Sequence, residues 1–140
     1  MENISWISLA LLSALFASLV AIFGKIGIQN IDSTLATTIR GIIMALFLII
    51  ISLSLGKFSF LNQINGRSLL FIILAGIAGA LSWLFYFYAL KVGPVKGVAS
   101  LDRLSVAMAI ILAFIFLGEK LVIKNLIGII FLVLGAMMLL

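Results

Sequence analysis

The chain has 140 residues, of which 66% are hydrophobic and 9% charged, and its mean hydropathy is +1.46. Nine basic and four acidic side chains cannot cover a soluble domain of that size, so the composition specifies an all-α membrane protein. The net charge of +5 then concerns topology and lipid headgroups rather than nucleic acid, and the lack of histidine and cysteine removes the commonest metal ligands and any disulfide evidence on compartment. No cofactor or metal is expected.

A spanning helix needs about 20 apolar residues. Five segments meet that length: 4–24, 34–55, 69–90, 95–117 and 121–140. Five transmembrane helices in a single domain, 1–140, are therefore predicted. The first segment has no basic stretch before it, as a signal peptide would. Ser33 is the expected N-cap of the second helix, and Pro94 fits the first turn of the fourth. The links are short, so consecutive helices should run antiparallel.

Arg40 lies about 9 Å into the second helix, counted from Thr34 at 1.5 Å per residue. At the end of the third, Trp83, Phe85, Tyr86, Phe87 and Tyr88 form an aromatic cluster that reads mainly as an interfacial belt. Helical spacing places Trp83 and Phe87 on one face and Tyr88 on another, and Tyr86 or Tyr88 could supply a hydroxyl to a crevice. Earlier in the same helix, Ala75, Gly76, Gly79 and Ala80 form overlapping pairs of small residues, a pattern that lets helices approach closely in lipid.

The fourth segment carries Asp102 and Arg103 side by side, about 12 Å along the helix from Pro94. On insertion scales the pair costs about 5–7 kcal/mol at mid-membrane, against about 4–7 kcal/mol gained from the twelve Val, Leu, Ile and Phe residues of the segment. The two sums nearly cancel. The helix can insert, but its charges must face protein or water. In the fifth segment Gly128 and Gly135 are seven apart and share a face that suits packing against a second copy.

Five crossings put the ends of the chain on opposite sides. The side of Met1 holds Lys57, Arg67, Lys120 and Lys124; the other holds Lys25, Lys91 and Lys96, joined by Arg40 and Arg103 if the intramembrane residues are counted. The positive-inside imbalance is one residue in either direction, so orientation is under-specified, and both a weakly biased single orientation and a dual topology with antiparallel pairing remain open. Lys25, Asp32, Arg40, Lys91, Lys96, Asp102 and Arg103 all fall at the second side, and a crevice there would be net basic. The three lysines read first as headgroup snorkelers. Asp102 is too short to reach the interface, so it needs an ion-pair partner, such as Arg40 or Lys25, or protonation that would suit a coupling ion.

Several strings then resemble the EamA domain of the drug/metabolite transporter superfamily. They are Tyr88-Ala89-Leu90-Lys91-Val92-Gly93-Pro94, Val98-Ala99-Ser100-Leu101-Asp102-Arg103-Leu104-Ser105 and Phe116-Leu117-Gly118-Glu119-Lys120, followed by Gly128 and Gly135. Lys25 and Arg40 also fall where that family often has basic residues. The resemblance covers the whole chain and implies one EamA-like five-helix repeat, where most members carry two in opposite orientations. A complete transporter would then need two chains. The Gly128/Gly135 pair is similar to the dimerising face of small multidrug-resistance proteins. Those require a membrane-embedded Glu in the first helix, however, and this chain has no acid there after Glu2, so their proton-coupled cation export does not carry over.

The leading expectation is a multi-pass protein of a prokaryotic plasma (inner) membrane. It would be a secondary transporter, an exporter, of a small metabolite, working as a homodimer, antiparallel in the dual-topology case, by alternating access. An anionic or zwitterionic substrate is slightly favoured. Arg40 and Arg103 would hold the anionic group and Asp102 would serve as counter-ion or proton carrier, with Lys25, Tyr86, Tyr88 and Trp83 as further candidates. The alternative is a scaffold or partner subunit without transport of its own. An enzyme is not expected, since Asp102 has no second carboxylate near it in sequence.

Overall fold

The structure is a computed structural model and describes residues 6–140. The predicted helix start at residue 4 lies outside the described residues. Among these, the chain is helical with no strand: α1 (Trp6–Gly27), α2 (Ser33–Ser54), α3 (Gly66–Val92), α4 (Val95–Asp102), α5 (Leu104–Leu112) and α6 (Ile123–Met138). Four spans are long and apolar enough to cross a bilayer: α1, α2, α3 and the combined stretch Val95–Leu117. Helix α6 has 16 residues, about 24 Å of rise, and is shorter than the usual hydrocarbon core of about 30 Å. Four of the five predicted spans are thus present at full length, and the fifth corresponds to a short apolar helix.

The chain divides into two compact units, Ile26–Lys91 and a second formed by Met1–Lys25 with Val92–Leu140. The first unit contains α2 and almost all of α3. Helix α2 is capped by Asp32, whose Oδ1 accepts the Leu35 N–H at 3.0 Å. This corrects the expectation for Ser33. A carboxylate at this position satisfies an orphan N–H and also meets the positive end of the helix dipole, so Asp32 takes the cap and Ser33 becomes the first helical residue. Ser33 is fully buried there and its Oγ has no hydrogen-bond partner. Helix α3 starts three residues before its predicted start, because Asn65 Oδ1 accepts the Ser68 N–H at 2.7 Å and extends the helix to Gly66. The two helices are linked through Gly56, at φ 63°, and a 3-10 turn over Lys57–Gln63. Buried apolar residues of this unit are Ile28, Phe87 and Leu90, while Ile43, Phe47, Phe71 and Ile72 are among the exposed ones. Such an outer surface is what lipid contact requires.

In the other unit the predicted fourth helix is interrupted. Helix α4 ends at Asp102, the Arg103 N–H turns to the Leu101 carbonyl, and α5 begins at Leu104. The Val106 N–H then closes a tight turn on the Arg103 carbonyl at 3.1 Å. Asp is a poor interior helix residue, and here two charged residues stand together in the weakest stretch of an otherwise apolar segment. A π-helical turn over Ala113–Leu117 ends the span, closed by Gly118 in the left-handed region at φ 67°. Helix α6 packs on α4 and α5, and Gly97 of α4 is buried with Leu140 Cδ2 at 3.5 Å from where its Cβ would stand.

Candidate functional site

In the first unit a groove of about 290 Å³ opens between α2 and α3, and none of the residues that line it is buried. Helix α2 contributes Thr37, Arg40, Gly41 and Met44, at the i, i+3, i+4 and i+7 positions of one helical face. Helix α3 contributes Ala75, Gly76, Gly79, Ala80 and Trp83, again one continuous face. The small residues of α3 were expected to admit a neighbouring helix. In this unit they border the groove, and a Cβ added at Gly76 or Gly79 would meet nothing within 4 Å, so the face is open to a neighbour. The physical reason is the bulk at one end of the same face: Arg40 and Trp83 fill the interhelical space there, and the small residues leave it open further along.

Arg40 is held by aromatic rings. Its guanidinium carbon lies 3.4 Å from the centroid of the Trp83 ring and 5.5 Å from that of Phe87. Trp83 meets Tyr86 edge-on at 5.6 Å and Phe87 at 6.2 Å, so the three rings support one another as well as the cation. A guanidinium is planar and weakly hydrated, which makes it the cation best suited to this stacking. Stacking covers a face of the guanidinium and leaves the in-plane N–H edges as the directions for hydrogen bonding. The Thr37 hydroxyl donates to the Ser33 carbonyl at 2.8 Å, so its proton is already committed.

The Tyr88 hydroxyl shares a 2.8 Å hydrogen bond with Thr34 Oγ1 of α2. Lys91 Nζ donates to the Ile31 carbonyl at 2.9 Å. In the other unit Lys25 Nζ donates to the Gly93 carbonyl at 3.0 Å. Lys25 and Lys91 therefore tie down loop carbonyls, where the sequence suggested headgroup snorkelers. Asp32 is exposed and its carboxyl is held below the ordinary carboxylate value, mainly by the Leu35 N–H; desolvation opposes this, and the Thr34 N–H and the positive charge of Lys91 add smaller help.

Of the candidates read from the sequence, the structure brings Arg40, Trp83 and Tyr86 together. Asp102 and Arg103 belong to the other unit, where both are exposed and form no ion pair or hydrogen bond through their side chains among the described residues. Gly128 and Gly135 lie on α6 with open space where a Cβ would project. Phe87, Thr37, Gly41 and Met44 were not singled out as site residues beforehand. Their spacing held the information: Gly76, Gly79 and Ala80 are seven, four and three residues before Trp83, on the face that Trp83 occupies.

Comparison with known proteins agrees with this architecture. The family described as the EamA-like transporter family matches residues 4–140. A protein of a Sinorhizobium species, named as an uncharacterized transporter in the cobO 3′ region, is 44% identical over 135 residues, which is 96% of this chain and 96% of that protein. No solved structure matches the chain.

Proposed function

As the chain belongs to the EamA-like transporter family, we propose that it is a secondary transporter that moves a small metabolite outward across a prokaryotic plasma membrane, as a homodimer working by alternating access. The observation that carries this reading is the Arg40 cavity. An arginine at that depth is costly in lipid, by about 2.5–3.5 kcal/mol on insertion scales, and a chain that keeps one there beside open volume has a use for its charge. Aromatic stacking offsets part of that cost and fixes the guanidinium in place before any ligand arrives.

Three features support a pair of chains. The exposed Asp102 and Arg103 stand within a spanning stretch, where contact with lipid would be unfavourable and contact with protein or a water-filled path is required. Helix α6 is short for the bilayer, and oligomerisation is one way a short helix is accommodated. Gly128 and Gly135 leave a face of α6 open to close approach. In this reading Asp102 carries a coupling proton or balances the substrate's charge, and Arg103 assists it.

The test is counterflow in proteoliposomes. Purified protein should exchange a labelled small anion at a rate that Arg40→Gln lowers at least tenfold, with Asp102→Asn uncoupling exchange from a pH gradient. A homomer inert toward every small metabolite offered, yet recovered with an unlike membrane partner, would instead identify a scaffold subunit.

A further inference from the structure

We propose that the α2–α3 cavity selects a monoanionic carboxylate with a compact, flat apolar body, and discriminates against amines, zwitterions and phosphate esters. This rests on reading the Arg40 cavity as the substrate site and adds the class of molecule it takes. Charge gives the first restriction. Among the described residues Arg40 is the one charged side chain in the lining, so a single negative charge is matched and any further charge is left unpaired. A phosphate ester carries nearly two negative charges at neutral pH, and no second cation lines the cavity to meet the excess. An ammonium group would find no carboxylate there, which excludes amines and disfavours amino acids.

Geometry gives the second restriction. With Trp83 stacked 3.4 Å from the guanidinium carbon, Arg40 offers its planar edge, and a carboxylate is the group that matches it with two parallel hydrogen bonds. The Thr37 proton is already given to the Ser33 carbonyl, so toward a ligand its hydroxyl can act only as an acceptor. The rest of the lining is Gly41, Met44, Ala75, Gly76, Gly79 and Ala80, an apolar floor without polar side chains. Its two α3 glycines leave open space where side chains would stand, so a flat body can lie against backbone. An apolar cavity of about 150 Å³ accommodates benzene. A half-open groove of about 290 Å³ therefore has room for a ring and its carboxylate, with one side of the body left uncovered.

The chain has two tryptophans, so Trp6→Phe leaves Trp83 as the sole indole reporter in the cavity. In nanodiscs, benzoate should change Trp83 emission saturably. Benzylamine, phenylalanine and phenyl phosphate should each bind at least tenfold more weakly. Arg40→Gln should abolish the benzoate response while the far-ultraviolet circular dichroism and melting temperature show that the fold persists. Gly76→Leu, which keeps the guanidinium and fills the floor, should weaken benzoate at least tenfold. Equal responses to benzoate and benzylamine, a benzoate response that survives both substitutions, or saturation by a long-chain fatty acid alone would overturn the assignment. Flux in proteoliposomes separates this from the transporter reading. Benzoate bound but never moved would sink the transporter and leave the selectivity; an amine transported without any benzoate response would do the reverse.

Discussion

Arg40 and Arg103 pose the same physical problem, a guanidinium inside an apolar span, and the two regions meet it differently. Around Arg40 the backbone of α2 is unbroken, and the charge is absorbed by Trp83 and Phe87 within its own unit. Around Arg103 the helix itself gives way, between α4 and α5, and both Asp102 and Arg103 stay exposed. The first arrangement is preorganised: rings and guanidinium hold one geometry, as a binding site needs. The second shows a one-residue irregularity at Arg103, which keeps right-handed helical angles, and its charges have no side-chain partner among the described residues.

The sharpest way to break this comparison is to neutralise each arginine in turn. Arg40→Gln should lower ligand affinity at least tenfold, while Arg103→Gln should leave affinity within about twofold and alter the rate of exchange; equal losses of affinity, by Trp83 fluorescence, would erase the distinction. Next in size are the glycines. Gly76→Leu should weaken binding without changing the oligomeric state, whereas Gly128→Leu should shift dimer toward monomer in size-exclusion light scattering with binding intact. A dimer unmoved by Gly128→Leu would remove α6 from the proposed interface.

Smaller effects sharpen the description of the Arg40 unit. Ser33→Ala removes a buried hydroxyl that has no partner, so the protein should unfold at a higher temperature, by a stabilisation of about 1 kcal/mol. A loss of stability would show that the hydroxyl is satisfied in the working protein. The smallest effect concerns Asp32. Its folded-state pKa lies below the unfolded value of about 3.9, so its ionised carboxylate contributes fully above that pH and the contribution is lost as pH falls through the lowered value. Melting curves of Asp32→Asn, which keeps an N-cap but cannot titrate, should therefore be flatter than the parent's below about pH 4. Parallel profiles would mean that the carboxylate gains nothing from the cap.

Much of the molecule was legible from one-dimensional pattern. Apolar length gave the spans, because lipid requires continuous helices with satisfied backbones. The strings around Tyr88–Pro94 and Asp102–Arg103 gave the family, now shown by the match over residues 4–140. The cap at Asp32 was misassigned to its neighbour because Ser and Asp are both good caps and only backbone geometry tells which one stands outside the helix.

The sequence by itself determined that this is a helical membrane protein with charges too deep for lipid, since hydrophobic length and charge are properties of each segment alone. Only the tertiary structure decided what those charges and glycines face. Ala75, Gly76, Gly79 and Ala80 admit close packing or border a groove with equal ease in sequence; within the unit they lie across from α2, along the groove that Arg40 and Trp83 also line. That outcome depends on volume between two helices, a quantity that no single helix carries.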